Sequence, residues 1–182
     1  VAPRAQRLNA AGYPFMHAPV FMGPPQALSG QGTMLASGPR DLFDRLDPQL
    51  AKLASKRQYL GERVDAAAIY KLMGNLMILA TVGGLADMFA LAESNGLSRA
   101  DAYKLFEFYS PQGQIDGRGK RMAHGEYEAA WTADMALKDA TLMLGSVDGR
   151  QLPVVDAVAR ELRATIGSGD AALDLAAIVK KR

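Results

Sequence analysis

Cysteine is missing from all 182 residues, which excludes disulfides, thiolate metal sites and cysteine nucleophiles and suits a reducing, cytoplasmic setting. Histidine is nearly missing as well: His17 and His124 are too few for most metal clusters, so no metal is expected. An excess of one charge sign is also lacking. Basic residues number 21 and acidic ones 19, spread along the chain for a net +2, so no field points to nucleic acid or an anionic membrane. Only Lys180, Lys181 and Arg182 cluster, and they read as a solvated helix end. No charged start leads into an apolar core and a small-residue cleavage site, so no signal peptide is expected. The longest apolar stretch, residues 72–92, is interrupted by Gly74, Asn75, Gly83, Gly84 and Asp87 and bordered by Lys71. It reads as a buried helix of a soluble protein rather than a membrane span.

What is present is an ordinary apolar fraction of 49%, enough for one good-sized core or two small ones. Pro3 opens a short helix that Gly12 stops. Y-P-F-M-H-A-P-V-F-M-G and G-T-M-L-A-S-G read as strands, with the Pro- and Gly-rich stretch 23–32 as a loop between them. Leu42, Phe43, Leu46, Leu50 and Leu53 recur at helical spacing, and K-R-Q-Y-L-G-E offers a third strand or an extended exit. From Asp65 strand signals vanish. Helices are expected over 65–95, over 98–109 with Ser98 as its cap, over 132–147, over 152–166, and from Asp170 on, with a glycine-rich connection at 110–119. The boundary falls near Gly61, dividing an α/β remnant, residues 1–61, from an all-α helical domain, residues 62–182.

Three stretches carry candidate chemistry. In A-A-I-Y-K-L-M-G-N-L-M-I-L-A, Lys71 and Asn75 lie four apart on one helix face, so an ammonium and an amide can reach one small molecule. A lysine in apolar surroundings tends toward a lower pKa, as proton transfer near neutrality requires. On spacing alone a structural role is commoner, with Lys71 extending to solvent from a helix edge. In H-A-P-V-F-M-G-P-P a strand runs into a glycine, which fits either a small anion site of backbone N–H groups or a plain turn. In W-T-A-D-M-A-L-K-D-A-T-L-M, Asp134 and Lys138 are spaced for an ion pair, and Trp131 is expected to pack.

The order of A-P-V-x-x-G-P, K-x-x-x-N, L-K-D-A, and then L-P followed by a helix and G-x-G-D resembles the β-hydroxyacid dehydrogenase family. That family includes 3-hydroxyisobutyrate dehydrogenases and is related to 6-phosphogluconate dehydrogenases and imine reductases. The resemblance covers essentially the whole chain. It implies that residues 1–61 are the last strands of a Rossmann-type dinucleotide-binding domain, and that the cofactor is NAD or NADP. Lys71 becomes the catalytic acid/base and Asn75 orients the substrate. Phe21, Met22 and Gly23 form the loop that holds the substrate carboxylate, and Lys138 approaches the cofactor. A homodimer built on the long helix is implied too, with a small molecule as substrate and neither nucleic acid nor membrane as partner.

Departures from the pattern matter. The family's D-A-P-V-S-G-G is H-A-P-V-F-M-G here, which makes the pocket narrower or more apolar and puts the usual small hydroxyacid in doubt. Asp65 stands where a glycine is common and is expected to cap the long helix. No G-x-G-x-x-G follows a strand at the front, so the chain reads as a piece lacking the turn that holds the cofactor pyrophosphate. The rival expectations are an imine reductase-like enzyme, favoured by Phe21 and Met22, and a non-catalytic helical dimerisation module.

Overall fold

The computed structural model describes residues 1–181, which fall into two compact units, Val1–Leu79 and the remainder from Ala80 on. In the first unit, helix α1 (Ala2–Ala10) precedes a three-stranded sheet in the order β1 (Val20–Phe21), β2 (Thr33–Ala36), β3 (Lys56–Tyr59). Strand β1 pairs antiparallel with β2, Val20 opposite Met34 and Phe21 opposite Thr33. Strand β3 pairs parallel with β2 from Thr33 opposite Lys56 to Ala36 opposite Tyr59. A parallel pair needs a crossover, and helix α3 (Arg40–Leu50) supplies it. Met34, Leu35 and Ala36 are all buried; because side chains alternate between faces, this central strand is covered on both sides. The strand expected over 13–23 is only two residues long plus an isolated bridge from His17 to Ser37, since Pro14 and Pro19 have no N–H to donate.

The expected loop at 23–32 holds a helix instead, α2 (Pro24–Ser29). Pro24 and Pro25 preset the first turn, and the Gln26 side chain returns to the Gly23 N–H at 3.0 Å, a capping box without a hydroxyl. Gly30, at φ 67°, ends it. Proline and glycine here are the two ends of a helix rather than signs of a loop.

Helix α4 (Ala66–Ser94) runs for 29 residues, close to the expected span. Its start is not capped by Asp65, whose carboxylate is taken by the Arg63 guanidinium at 2.7 Å. The buried Ser37 hydroxyl, arriving from the end of β2, accepts from the Ala67 N–H and donates to the Val64 carbonyl, each at 3.0 Å. The sheet thereby fixes where α4 begins. The helix is not buried as expected: Ile69, Tyr70, Leu72, Met73, Leu76, Met77, Ile78, Leu79 and Val82 are all exposed. By length and composition alone α4 could cross a membrane.

In the second unit, α5 (Arg99–Tyr103) begins at Ser98, whose hydroxyl accepts from the Asp101 N–H as expected, and tightens into a 3₁₀ turn at Lys104–Glu107. The expected glycine-rich connection contains a π-helical turn, Gln114–Gly119, that runs into α6 (Lys120–His124). Helices α7 (Ala133–Gly145) and α8 (Pro153–Gly167) pack together through Ala133, Ala136 and Leu162, flanked by Leu137, Ile166, Leu175 and Ile178; small residues on α7 allow the close approach. Leu152, at the start of α8, has no polar side chain, so Asp87 of α4 caps it: one carboxylate oxygen accepts from the Val154 and Val155 N–H groups at 2.9 Å each. The last helix begins not at Asp170 but at Leu175, as a 3₁₀ segment to Lys181. Of the basic tail, Lys180 pairs with Asp170 at 2.9 Å, and Arg182 lies outside the described residues.

Candidate active site

Strand β1 delivers Phe21 toward the first turns of α4, and the Ser37 cap sets the height of α4 against that strand. Lys71 is half-buried, and its ammonium lies 4.0 Å from the centroid of the Phe21 ring. That contact brings together the lysine and the loop which the family resemblance implied for one site. The shelter for the amine is an aromatic face from β1, not its helix neighbours, for Leu72 and Met73 are exposed. Lys71 forms no ion pair among the described residues, and the half-buried Asn75 side chain makes no hydrogen bond to another described residue. An ammonium proton and an amide on one face therefore remain for a ligand.

Two glycines hold the loop. A Cβ placed on Gly74 would stand 2.3 Å from the Phe21 Cζ, so the ring lies directly on bare helix backbone. A Cβ on Gly32, which has φ 150°, would stand 2.8 Å from the Met22 Cβ. The Gly23 N–H, expected to face an anion, already donates to Gln26. Residue-by-residue reading missed Gly74, Gly32, Gln26 and Ser37; of these only Gly74, a glycine inside a helical run, carried a signal.

Lys138 is in the helical unit on α7. Its side chain is mostly exposed and pairs with Asp139 at 3.0 Å, not with Asp134. Asp134 instead accepts from the Thr132 hydroxyl and the Met135 N–H, as an acid in a first helical turn does. Trp131 is partly exposed at that helix entrance. One cleft within this unit, lined by Thr81, Leu85, Met88, Tyr103 and Phe106, is apolar, and another, lined by Arg150, Gln151, Asp156 and Arg160, is polar; neither contains Lys71 or Asn75.

The described residues do not form a pyrophosphate cradle, since no glycine-rich strand–turn–helix is among them and α2 has only six residues.

A small mixed sheet with one parallel pair, followed by a long helix and a helical domain, defines the class as a Rossmann-type remnant followed by an all-α domain. Residues 1–61 match the NAD binding domain of 6-phosphogluconate dehydrogenase. An NADH-dependent oxidoreductase of Aspergillus ustus is 35% identical over 122 residues, which cover 67% of this chain and 40% of that protein. An L-threonate dehydrogenase of Haemophilus influenzae is 26% identical over 151 residues, covering 82% of this chain and 50% of that protein. The solved imine reductase of Myxococcus stipitatus in complex with NADP+ shares the fold with a TM-score of 0.89 at 17% identity, across 98% of this chain and 65% of that one. These matches support a β-hydroxyacid dehydrogenase-like family. The chain spans about half the length of the curated relatives it matches.

Proposed function

We propose that this chain is the proton-transfer and dimerisation part of an NAD(P)-dependent oxidoreductase that interconverts a small carbonyl compound and its alcohol. The observation that carries the reading is the Lys71 ammonium, on one helix face with an unengaged Asn75 amide and in contact with the loop after β1. A bound nicotinamide would donate the hydride to the carbonyl carbon. Lys71 then gives its proton to the carbonyl oxygen, and in the reverse direction takes the hydroxyl proton. Asn75 orients the oxygen by hydrogen bonding, and Phe21, Met22 and Gly23 bound the substrate. Lys138, with an exposed ammonium on α7, is assigned to the cofactor. The names of the relatives support an NADH- or NADP-linked oxidoreductase.

Within this reading residues 1–61 are the C-terminal part of the dinucleotide-binding domain and residues 62–182 the substrate and dimerisation domain, in a cytoplasmic homodimer that engages neither nucleic acid nor membrane. The exposed apolar sides of α4 are what a second copy would cover. An imine reductase-like activity is the second reading, favoured by the apolar ring beside Lys71 and by the shared fold.

In the intact natural protein, Lys71→Ala is expected to lower kcat by roughly 100-fold or more while dinucleotide affinity, read by calorimetry, stays within a small factor. Turnover equal to the unaltered protein's would remove Lys71 from the mechanism.

A further inference from the structure

The ring that shelters Lys71 also decides what can stand beside it. The aromatic face occupies one side of the ammonium at 4.0 Å, a cation–π contact that holds the amine while its charge is only partly hydrated. A substrate carboxylate seeking that ammonium meets two obstacles on this side. It must displace the ring, and a ring face carries partial negative charge, so an anion laid against it is repelled. The ring has little freedom to leave. Its tip rests where a Cβ of residue 74 would be, 2.3 Å from Cζ and 2.7 Å from Cε1, and the adjoining Met22 is seated against Gly32. The alternative anchor for a carboxylate, the Gly23 N–H, is consumed by Gln26 at 3.0 Å. A neutral carbonyl oxygen asks for much less: one ammonium proton and one amide, both available.

We propose that Phe21, seated on the bare backbone of Gly74 and stacked on Lys71, selects a neutral aldehyde or ketone with an apolar or aromatic substituent and rejects compounds with a carboxylate next to the carbonyl. The proposal rests on the reading of Lys71 as acid/base and names the substrate class of that site. In that reduction a bound NAD(P)H would supply the hydride to the carbonyl carbon and be left as NAD(P)+, while Lys71 gives its proton to the oxygen and the neutral alcohol results. Phe21 and Gly74 act as a matched pair, since any side chain at position 74 claims the space of the ring.

The test compares kcat/KM for benzaldehyde, glyoxylate and a cyclic imine in the intact natural protein and in Phe21→Ser. The unaltered protein should prefer benzaldehyde, and Phe21→Ser should move the benzaldehyde-to-glyoxylate ratio toward glyoxylate by roughly 10- to 100-fold. Gly74→Ala should move it the same way, and Phe21→Ser with Gly74→Ala should add little to Phe21→Ser alone, because the ring is already gone. Phe21→Leu, which keeps an apolar fill, controls for a loss of folding. A second readout needs no turnover: the Lys71 ε-methylene signal, assigned through Lys71→Arg, is followed by NMR during titration with acetate. Acetate should shift it in Phe21→Ser and leave it unmoved in the unaltered protein. A preference of the unaltered protein for glyoxylate or the imine, an unchanged ratio in Phe21→Ser, or an equal acetate shift in both proteins overturns the proposal. Retained turnover in Lys71→Ala overturns the acid/base reading instead, and the acetate titration reports on Phe21 in either case.

Discussion

Lone acids set inside apolar runs prove to be the organising residues of the helical unit. Asp174, in A-A-L-D-L-A-A, is fully buried. It accepts from Arg118 Nε at 2.7 Å and from the N–H groups of Ala176, Ala130 and Trp131 at 3.0, 3.1 and 3.2 Å. Burial by itself would raise its pKa; the Arg118 guanidinium and the three backbone donors outweigh that and hold the carboxyl well below the usual carboxylate range. A folded pKa below the unfolded value of about 4 means that the stabilisation is complete above that pH and is lost as pH falls toward the folded value. Acid titration of stability should therefore show a loss beginning below about pH 4, and Asp174→Asn should flatten that slope while costing about 3 kcal/mol at neutral pH, both measured by denaturant melts. An unchanged slope in Asp174→Asn would remove it as the acid-sensitive group. That Lys71 and Asn75 share one helix face was legible from the helical repeat; their place in a site was suggested only by the family resemblance. The ring that covers Lys71 was not, because its seat depends on what residue 74 lacks.

Among elements, those that bury a regular apolar pattern were legible, and those fixed by contacts distant in sequence were not. Residues 133–145 and 153–167 follow from apolar spacing; α4, though exposed, lies within a residue of its expected ends because its long apolar run stops at Asn95 and Gly96. The α2 helix was hidden by prolines that normally break one. The π-helical turn at Gln114–Gly119 was hidden by its two glycines and by Gly113 before it, although its Arg118 is held by Asp174 more than fifty residues away. Helix α8 shows what such remote contacts are worth, because its cap comes from α4 and not from its own Leu152. Asp87→Ala leaves two N–H groups without their acceptor and should destabilise the helical unit by about 2 kcal/mol. Asp87→Asn keeps an acceptor oxygen and should cost less. Chemical denaturation with circular dichroism distinguishes them, and equal losses for the two variants would show that the cap is not the source.

For the whole molecule the exposed stripe of Ile69, Leu72, Leu76 and Leu79 repeats three and four residues apart, the spacing by which one helix seats on another. Under the proposed homodimer, Leu72→Arg with Leu76→Arg should convert a dimer to a monomer in sedimentation velocity, and an unaltered protein that sediments as a monomer at every concentration would reject that assembly. The apolar run itself was plain in the sequence; its exposure was not, because periodicity reports which residues avoid water and not whether the covering surface lies within the same chain. One property of α4 reaches beyond assembly. A single uninterrupted helix belongs to both compact units, so they are joined by hydrogen-bonded backbone and not by a loop. A protease meets no extended segment there to thread into its cleft, and cleavage between the units should wait on local melting of that rod.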